Sequence, residues 1–278
     1  QPGKTYVDVT FGGGGHTKAI LDAEPTCSVI ALDWDQKAIE QNAPPLEARY
    51  GKRFKVLWGN FAHLYKLLKK EGITQVDGIL ADFGTSQFQI HERAGFSFQT
   101  DSPLDMRLST AHQHTTAADI LNKASEQEIA HILYVYGEEP LSRKIARAIV
   151  EQRKKQHFQT TGQLVDLITS LIPVRIFKAK RGIHPATKTF QALRIAVNDE
   201  LKNIEIFLKA ALGFLAPGGR LVCISFHSLE DRLVKQFFRD HGDALEIITP
   251  KPIVACPEEV AQNPSARSAK LRAARKTH

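Results

Sequence analysis

Cysteine is scarce in this chain: Cys27, Cys223 and Cys256 are the only three in 278 residues. They lie far apart and make no metal-ligand spacing, so neither a disulfide scaffold nor a zinc site is expected, and a reducing compartment fits. No run approaches the ~20 consecutive apolar residues of a membrane span, and no membrane partner is expected. The chain opens on Gln1 rather than Met, with the first apolar run almost at once. A missing native N-terminal segment, and with it a targeting signal, therefore stays open.

Acidic residues are nearly absent from 141–190, which hold eleven Lys or Arg against Glu151 and Asp166 alone, a net of +9. The whole chain carries +7, so everything else sums to −2. Positive charge segregated in this way implies a polyanionic partner, most simply RNA or DNA. For any single cation a solvated helical face is the simpler reading. The length allows one large domain or two modest ones with a real core.

What the chain does have is Asp8-Val-Thr-Phe-Gly-Gly-Gly-Gly-His16, directly after an apolar run that begins at Tyr6. A strand ending in a glycine turn and running into a helical pattern is how a doubly wound sheet grips a cofactor. Glycine lets the backbone approach a ligand, and the next helix presents N–H groups. A second apolar run, Val29 to Leu32, ends in Asp33, where a carboxylate can accept from both hydroxyls of a ribose. The turn is not Gly-x-Gly-x-x-Gly, and Asp8 would repel a diphosphate. The same carboxylate suits the ammonium or sulfonium end of S-adenosylmethionine, although it could instead bond the turn amides.

Strand-like runs at Tyr6–Val9, Val29–Asp33, Phe54–Trp58 and Val76–Asp82 alternate with helical patterns, which predicts a parallel α/β sheet. After Asp82 the alternation gives way to a loop with Gly84, Gly95 and Pro103, and then to helices. Ser125-Glu-Gln-Glu128 reads as a capping box, a helix runs from Leu141 to Lys155, and Thr161 opens another that Pro173 stops. A long amphipathic helix leads to a turn at Ala216-Pro-Gly-Gly219, and strand Leu221–Ser225 resumes the sheet. Ser228 should cap the next helix, a last strand lies near Leu245–Ile248, and the tail from Lys251 should be loosely ordered. The fold class is thus α/β, a doubly wound Rossmann-like sheet, and the S-adenosylmethionine reading of its glycine turn makes the expectation a methyltransferase sheet. Residues 1–91 and 191–278 build it, and 92–190 form an inserted helical substrate-recognition domain.

Several side chains then fall at the carboxyl edge of the sheet. Asp82 ends the fourth strand, where it could take a proton from a poorly nucleophilic exocyclic base amine or bind the methionine amine. His227, leaving the fifth strand, can reach a base or a proton there, or be structural. Phe61 can cover an adenine ring or belong to the core. In the insert, Arg143, Arg147 and Lys154 share a helix face, and Lys188 and Arg194 add cationic donors near Thr187 and Thr189.

Together these motifs carry a resemblance. Asp8 to Thr17, Gly95-Phe-Ser-Phe98, Pro103-Leu-Asp-Met-Arg107, Tyr136-Gly-Glu-Glu139, His184 to Ile195, Ser225 to Arg232 and Ala266 to Arg272 are similar to the RsmH (MraW) family. That resemblance implies S-adenosylmethionine-dependent transfer to cytosine N4 in the decoding region of small-subunit ribosomal RNA. It implies Gly14, Gly15 and His16 as the cofactor turn, Asp33 as the ribose carboxylate, Phe61 beside the adenine, and Asp82 and Gln89 as further cofactor contacts. The partner would be small-subunit ribosomal RNA or the assembled subunit, in bacterial cytoplasm or an organelle, and a homodimer is compatible. Departures occur at 83–88, where the family usually reads Leu-Gly-Val-Ser-Ser-Pro, and at Ala94, where it usually has Arg. Rival readings are a noncatalytic ribosome-assembly factor of the same fold and an amino-methyltransferase acting on another nucleic acid.

Overall fold

The computed structural model describes residues 2–84, 94–111, 113–171 and 184–278. The chain divides into two compact units, Gln1–Ser86 with Leu201–His278, and Gln87–Glu200.

In the first unit, β1 (Thr5–Asp8), β2 (Ser28–Asp33), β3 (Phe54–Trp58) and β4 (Val76–Asp82) alternate with helices α1 (Gly15–Ala23), α2 (Gln36–Tyr50) and α3 (Leu64–Lys70). The runs are short and almost continuously apolar because both faces of a parallel sheet are covered. With β5 (Leu215–Ser225) the sheet order is β3-β2-β1-β4-β5, all parallel. The chain reverses its direction of sheet growth between β1 and β4, and such a switch point opens a crevice at the carboxyl ends of those two strands. Val7, Ile30, Leu32, Ile79, Ala81 and Leu221 fill the sheet core.

The turn expected at Ala216–Gly219 lies inside β5. Val76 pairs with Leu215 and Gly78 with Arg220, so the four residues between bulge out of the ladder and Gly218 takes a φ of 78°. The expected loose tail is ordered. After β6 (Leu245–Ile247) and β7 (Ile253–Val254), β8 (Lys270–Lys276) pairs antiparallel with β5 on one side and with β6 and β7 on the other. Its composition misleads because Ala273 and Ala274 are the buried residues, while the Arg272 guanidinium is itself buried. Arg272 donates to both oxygens of Asp231 at 2.6 and 3.2 Å. Asp231 belongs to the helix Ser228–Asp240 that follows β5.

The second unit holds α4 (Ala117–Lys123), α5 (Glu126–Gly137), α6 (Ser142–Arg153), α7 (Thr161–Leu171) and α8 (Thr187–Asn198). Thr116 and Ser125 both make reciprocal capping boxes, with Asp119 and Glu128. The long helix expected before β5 is two helices. Asp199 takes φ 51° and separates α8 from α9 (Glu200–Phe214). Leu193 and Val197 pack in the core of the helical unit, so 191–200 belongs to it rather than to the sheet domain.

Burial alone would raise the Asp231 carboxyl, but Arg272 and Lys270 outweigh it and hold it below the usual carboxylate value. Removing one partner strands the other charge in a low-dielectric site. Asp231→Ala should therefore lower unfolding stability by about 3–5 kcal/mol, measured by urea denaturation. A loss under about 1 kcal/mol, the worth of a surface pair, would show that the tail does not need this anchor.

Candidate functional site

The glycine turn is held from three directions. The Phe11 amide donates to the Leu32 carbonyl of β2 (2.9 Å), and the Gly12 amide donates to Asp33 Oδ2 (2.7 Å). Asn42, on α2, donates from its side-chain nitrogen to the Gly12 carbonyl (3.1 Å). Gly14 caps α1 with φ 73°, and a Cβ there would sit 3.0 Å from the Phe11 ring. At Gly13 and Gly15 a Cβ would meet nothing within 4 Å, so this side of the turn faces open space. The first helical bond of α1 is Lys18 N–H to the Gly14 carbonyl, at 2.9 Å. The amides of Gly15, His16 and Thr17 come before it and point toward that end.

Asp33 is buried and uses one lone pair of each oxygen on backbone, Oδ2 on Gly12 and Oδ1 on the Asp35 amide (2.8 Å). A carboxylate has about four acceptor positions, so two remain for hydroxyl donors. Burial pushes the Asp33 carboxyl up to about 6 despite those amides. The next strand end lies close, since the Gly59 amide donates to the Asp33 carbonyl (2.8 Å). Two residues on, Phe61 is half-buried, with its ring centroid 5.6 Å from Phe207 and 5.9 Å from Phe83.

Asp8 does not face a ligand. Fully buried at the end of β1, it accepts from Thr17 Oγ1 (2.7 Å) and the Thr10 amide (3.1 Å), and burial raises its carboxyl. The turn-bonding role replaces the cationic-partner role that the sequence suggested. The carboxylate that does lie open to the crevice is Asp82. It ends β4, and its Oδ2 lies 3.3 Å from Nε2 of the exposed His16. That contact raises the His16 imidazole above its usual value. Asp82 Oδ1 is buried with no hydrogen-bond partner among the described residues. A polar atom in that position calls for a ligand, a water or a functional role.

His227 sits past β5, the strand beside β4, with Asp82 and Ile224 in register. It, not Ser228, is the cap of helix α10 (Ser228–Asp240). Its Nδ1 accepts from the Glu230 amide (3.4 Å), and Glu230 Oε2 accepts from the Phe226 and His227 amides (2.7 and 3.3 Å). Nε2 lies 3.2 Å from Glu230 Oε1. A ring that accepts at Nδ1 carries its proton on Nε2.

In the helical unit Arg143 and Arg147 are exposed on α6, with Arg147 3.8 Å from Glu126, and Lys154 pairs with Glu151 at 2.8 Å. Lys188 donates to the Glu138 carbonyl at the end of α5 (2.7 Å). Arg194 departs from the expectation. Both its donors reach Glu200 at 2.9 Å, and with 20% and 10% of the side chains exposed this fork is a largely buried structural pair. Gln89 and positions 85–88 of the altered stretch lie outside the described residues. Sequence reasoning missed Asn42 and Glu230. Asn42 left a faint signal, an amide in a helix interior where such side chains usually seek backbone partners.

A parallel sheet with this strand order, a glycine turn after β1 and a carboxylate ending β2 defines a nucleoside-binding protein of the doubly wound α/β class. Within that class, the chain belongs to the MraW methylase family, whose model matches residues 1–277. It is 48% identical over 277 residues to the ribosomal RNA small subunit methyltransferase H of Cyanothece sp., covering 99% of this chain and 89% of that protein. The protein of the same name from Geobacter sulfurreducens is 47% identical, with 99% and 94% covered. The one from Deinococcus radiodurans is 48% identical, with 98% and 83% covered.

The Asp33 carboxyl binds its proton more tightly folded (about 6) than at the ordinary 3.8. Its stabilising contribution is therefore full below the unfolded value and is lost as pH rises through the folded one. Between pH about 4 and 6, Asp33→Asn should flatten the pH dependence of unfolding stability by on the order of 2–3 kcal/mol. Parallel stability curves for mutant and parent would refute the burial argument.

Proposed function

We propose that this methylase transfers a methyl group from S-adenosylmethionine to the exocyclic N4 of a cytosine in the decoding region of small-subunit ribosomal RNA. The family match supports methyl transfer, and the relatives' names point to small-subunit ribosomal RNA. The observation that carries the chemistry is Asp82. It offers a carboxylate at the switch-point crevice with one oxygen paired to His16 and the other without a partner.

S-adenosylmethionine supplies an electrophilic methyl carbon on a sulfonium centre. In this proposal the chain's own residues do four things. The spare lone pairs of Asp33 accept from the ribose hydroxyls. The open faces of Gly13 and Gly15 let the backbone come close, with Gly14 fixing the turn and His16 at its rim. Phe61 offers its half-buried ring to the adenine, and Gln89 completes the contacts. Asp82 accepts a hydrogen bond from the target amine and takes its proton as the nitrogen gains the methyl group. That removes the cation which a base amine, its lone pair delocalised into the ring, cannot carry easily. His227 borders the same amine from the end of β5. With its proton on Nε2 it has no lone pair to offer, so it shapes the rim and Asp82 is the acceptor.

Arg143, Arg147, Lys154 and Lys188 contact phosphate in this reading, whereas Arg194 is withdrawn because Glu200 occupies its fork. The partner is the ribosomal RNA or the assembled small subunit, in bacterial cytoplasm. No helix among the described residues is long and apolar enough to cross a membrane.

Radiolabelled methyl transfer to small subunits, naked ribosomal RNA and DNA, followed by nucleoside analysis, tests the reading. N4-methylcytidine from the small-subunit arms is expected. Label in DNA or in another base would overturn the assignment, and binding without transfer would favour a noncatalytic assembly factor. Asp82→Asn should slow single-turnover transfer by about 10²–10⁴-fold, and an unchanged rate would remove Asp82 as acceptor. Replacing Arg143 and Arg147 by Ala should reduce the salt slope of single-stranded RNA affinity by about 1.4, at about 0.7 per phosphate contact. An unchanged slope would return both arginines to a solvated face.

A further inference from the structure

One buried carboxylate sets His16 and Asp82 against each other. Asp8 accepts from Thr17 Oγ1 (2.7 Å), the residue after His16, and from the Thr10 amide (3.1 Å). Thr10 Oγ1 in turn accepts from the Asp82 amide (2.7 Å). The start of α1 and the end of β4 are therefore tied to the same group. That frame fixes the 3.3 Å approach of His16 Nε2 to Asp82 Oδ2.

An ionised carboxylate only accepts, so Nε2 carries a proton in this contact whether the ring is neutral or charged. The bond occupies Oδ2 and holds the plane of the carboxylate. It leaves Oδ1, buried and without a hydrogen-bond partner among the described residues, as the oxygen that receives the next proton. The terminal torsion of an aspartate is broad and two-fold. Without the imidazole, the two oxygens would exchange places.

The charge on the ring also sets the strength of the acceptor. A neutral imidazole donates to Oδ2 and leaves Asp82 the basicity of a carboxylate. An imidazolium in the same place stabilises the carboxylate and weakens it as a base. It further opposes a step in which positive charge moves from sulfur to the attacking nitrogen. Two carboxylates face the ring among the described residues, Asp82 from the end of β4 and Asp8 from the end of β1. Against burial, they hold the imidazole above its ordinary 6.5. Lys18, two residues on along α1, is engaged by Asp22 (3.2 Å).

We propose that His16 is the positioning residue for Asp82: its Nε2–H selects the carboxylate oxygen that takes the proton of the target amine, and its charge state sets how readily that oxygen accepts. The role rests on Asp82 as the acceptor in the proposed reaction, and it is separate from the contact of the glycine turn with the cofactor. In the step, the amine nitrogen bonds to the methyl carbon, and the carbon–sulfur bond breaks with its electron pair going to sulfur. The amine proton passes to Asp82 Oδ1. His16 keeps its own proton throughout.

Single-turnover methyl transfer with saturating S-adenosylmethionine and small-subunit RNA is followed over about pH 5–9, which brackets the range in which histidines titrate. The parent rate is expected to rise with pH through an ionisation above 6.5 and then level off. Gln offers an N–H close to the place of Nε2 but does not titrate, so His16→Gln should show no such ionisation. His16→Ala should be about 10²-fold slower than the parent at the plateau, the cost of misplacing a reacting group. His16→Gln should recover most of that loss. The loss of cofactor affinity in His16→Ala, by calorimetry, should be smaller than the loss of rate. Independently of any transfer, NMR of ring-labelled histidine in the chain without cofactor follows the His16 titration, assigned by the signal missing from His16→Gln. Asp82→Asn should bring that titration down toward 6.5. An unmoved titration overturns the pairing. A parent-like pH step in His16→Gln, or equal plateau rates for Gln and Ala, overturns the positioning role alone when the parent does transfer methyl groups. No transfer to any RNA overturns the reaction on which the role rests.

Discussion

The 2.7 Å bond from the Gly12 amide to the Asp33 carboxylate joins the turn after β1 to the end of β2. A run of four glycines has the largest conformational entropy to lose on folding, and it needs outside partners to adopt one shape. Asp33 supplies one of them, Asn42 a second, and the Leu32 carbonyl a third. Asp8 completes the arrangement from below through Thr10 and Thr17. Two buried carboxylates at neighbouring strand ends are costly, and burial raises both. The sheet tolerates them because each is bonded to the backbone or a hydroxyl of the turn it organises.

The two carboxylates at the ends of β1 and β4 divide the work by burial. Asp8 is sealed and structural, whereas Asp82 faces His16 and keeps one oxygen without a partner. Similar residue types at similar topological positions thus acquire different roles from their surroundings. The helical unit applies the same economy. Asn198 accepts from the Leu108 amide and donates to the Met106 carbonyl, each at 2.8 Å. It so holds a buried turn in which Met106 adopts φ 62°. Left-handed backbone is uncommon for a residue with a long side chain, and a fully buried amide clamp is one way to maintain it.

Much of the sheet was legible from the alternation of short apolar runs with helical patterns, since runs this short, bounded by turn residues, suit buried strands better than helices. The capping box at Ser125 was legible for the same reason, because its chemistry is local. β8 was not. Lys270-Leu-Arg-Ala-Ala-Arg-Lys276 has weak strand propensity. It becomes a strand because β5 and β6 offer edges on either side and Asp231 neutralises Arg272. The break at Asp199 was equally hidden, because one residue in left-handed conformation interrupts no hydrophobic periodicity.

By itself the sequence determined the class of fold, the glycine turn, the placement of Asp33 and Asp82 at strand ends, and the segregation of basic charge, all of which rest on residue type and spacing within a few turns of chain. Tertiary structure alone decided which groups spend their bonding capacity internally. Arg194 and Glu200, Asp8 and Thr17, and His227 and Glu230 look like available chemistry when read in line. Folding brings each pair to bonding distance, the last through the Glu230 amide, which donates to His227 Nδ1. A buried polar group binds the nearest complementary partner because leaving it unsatisfied costs about 1–3 kcal/mol. Only the three-dimensional arrangement shows which partner is nearest.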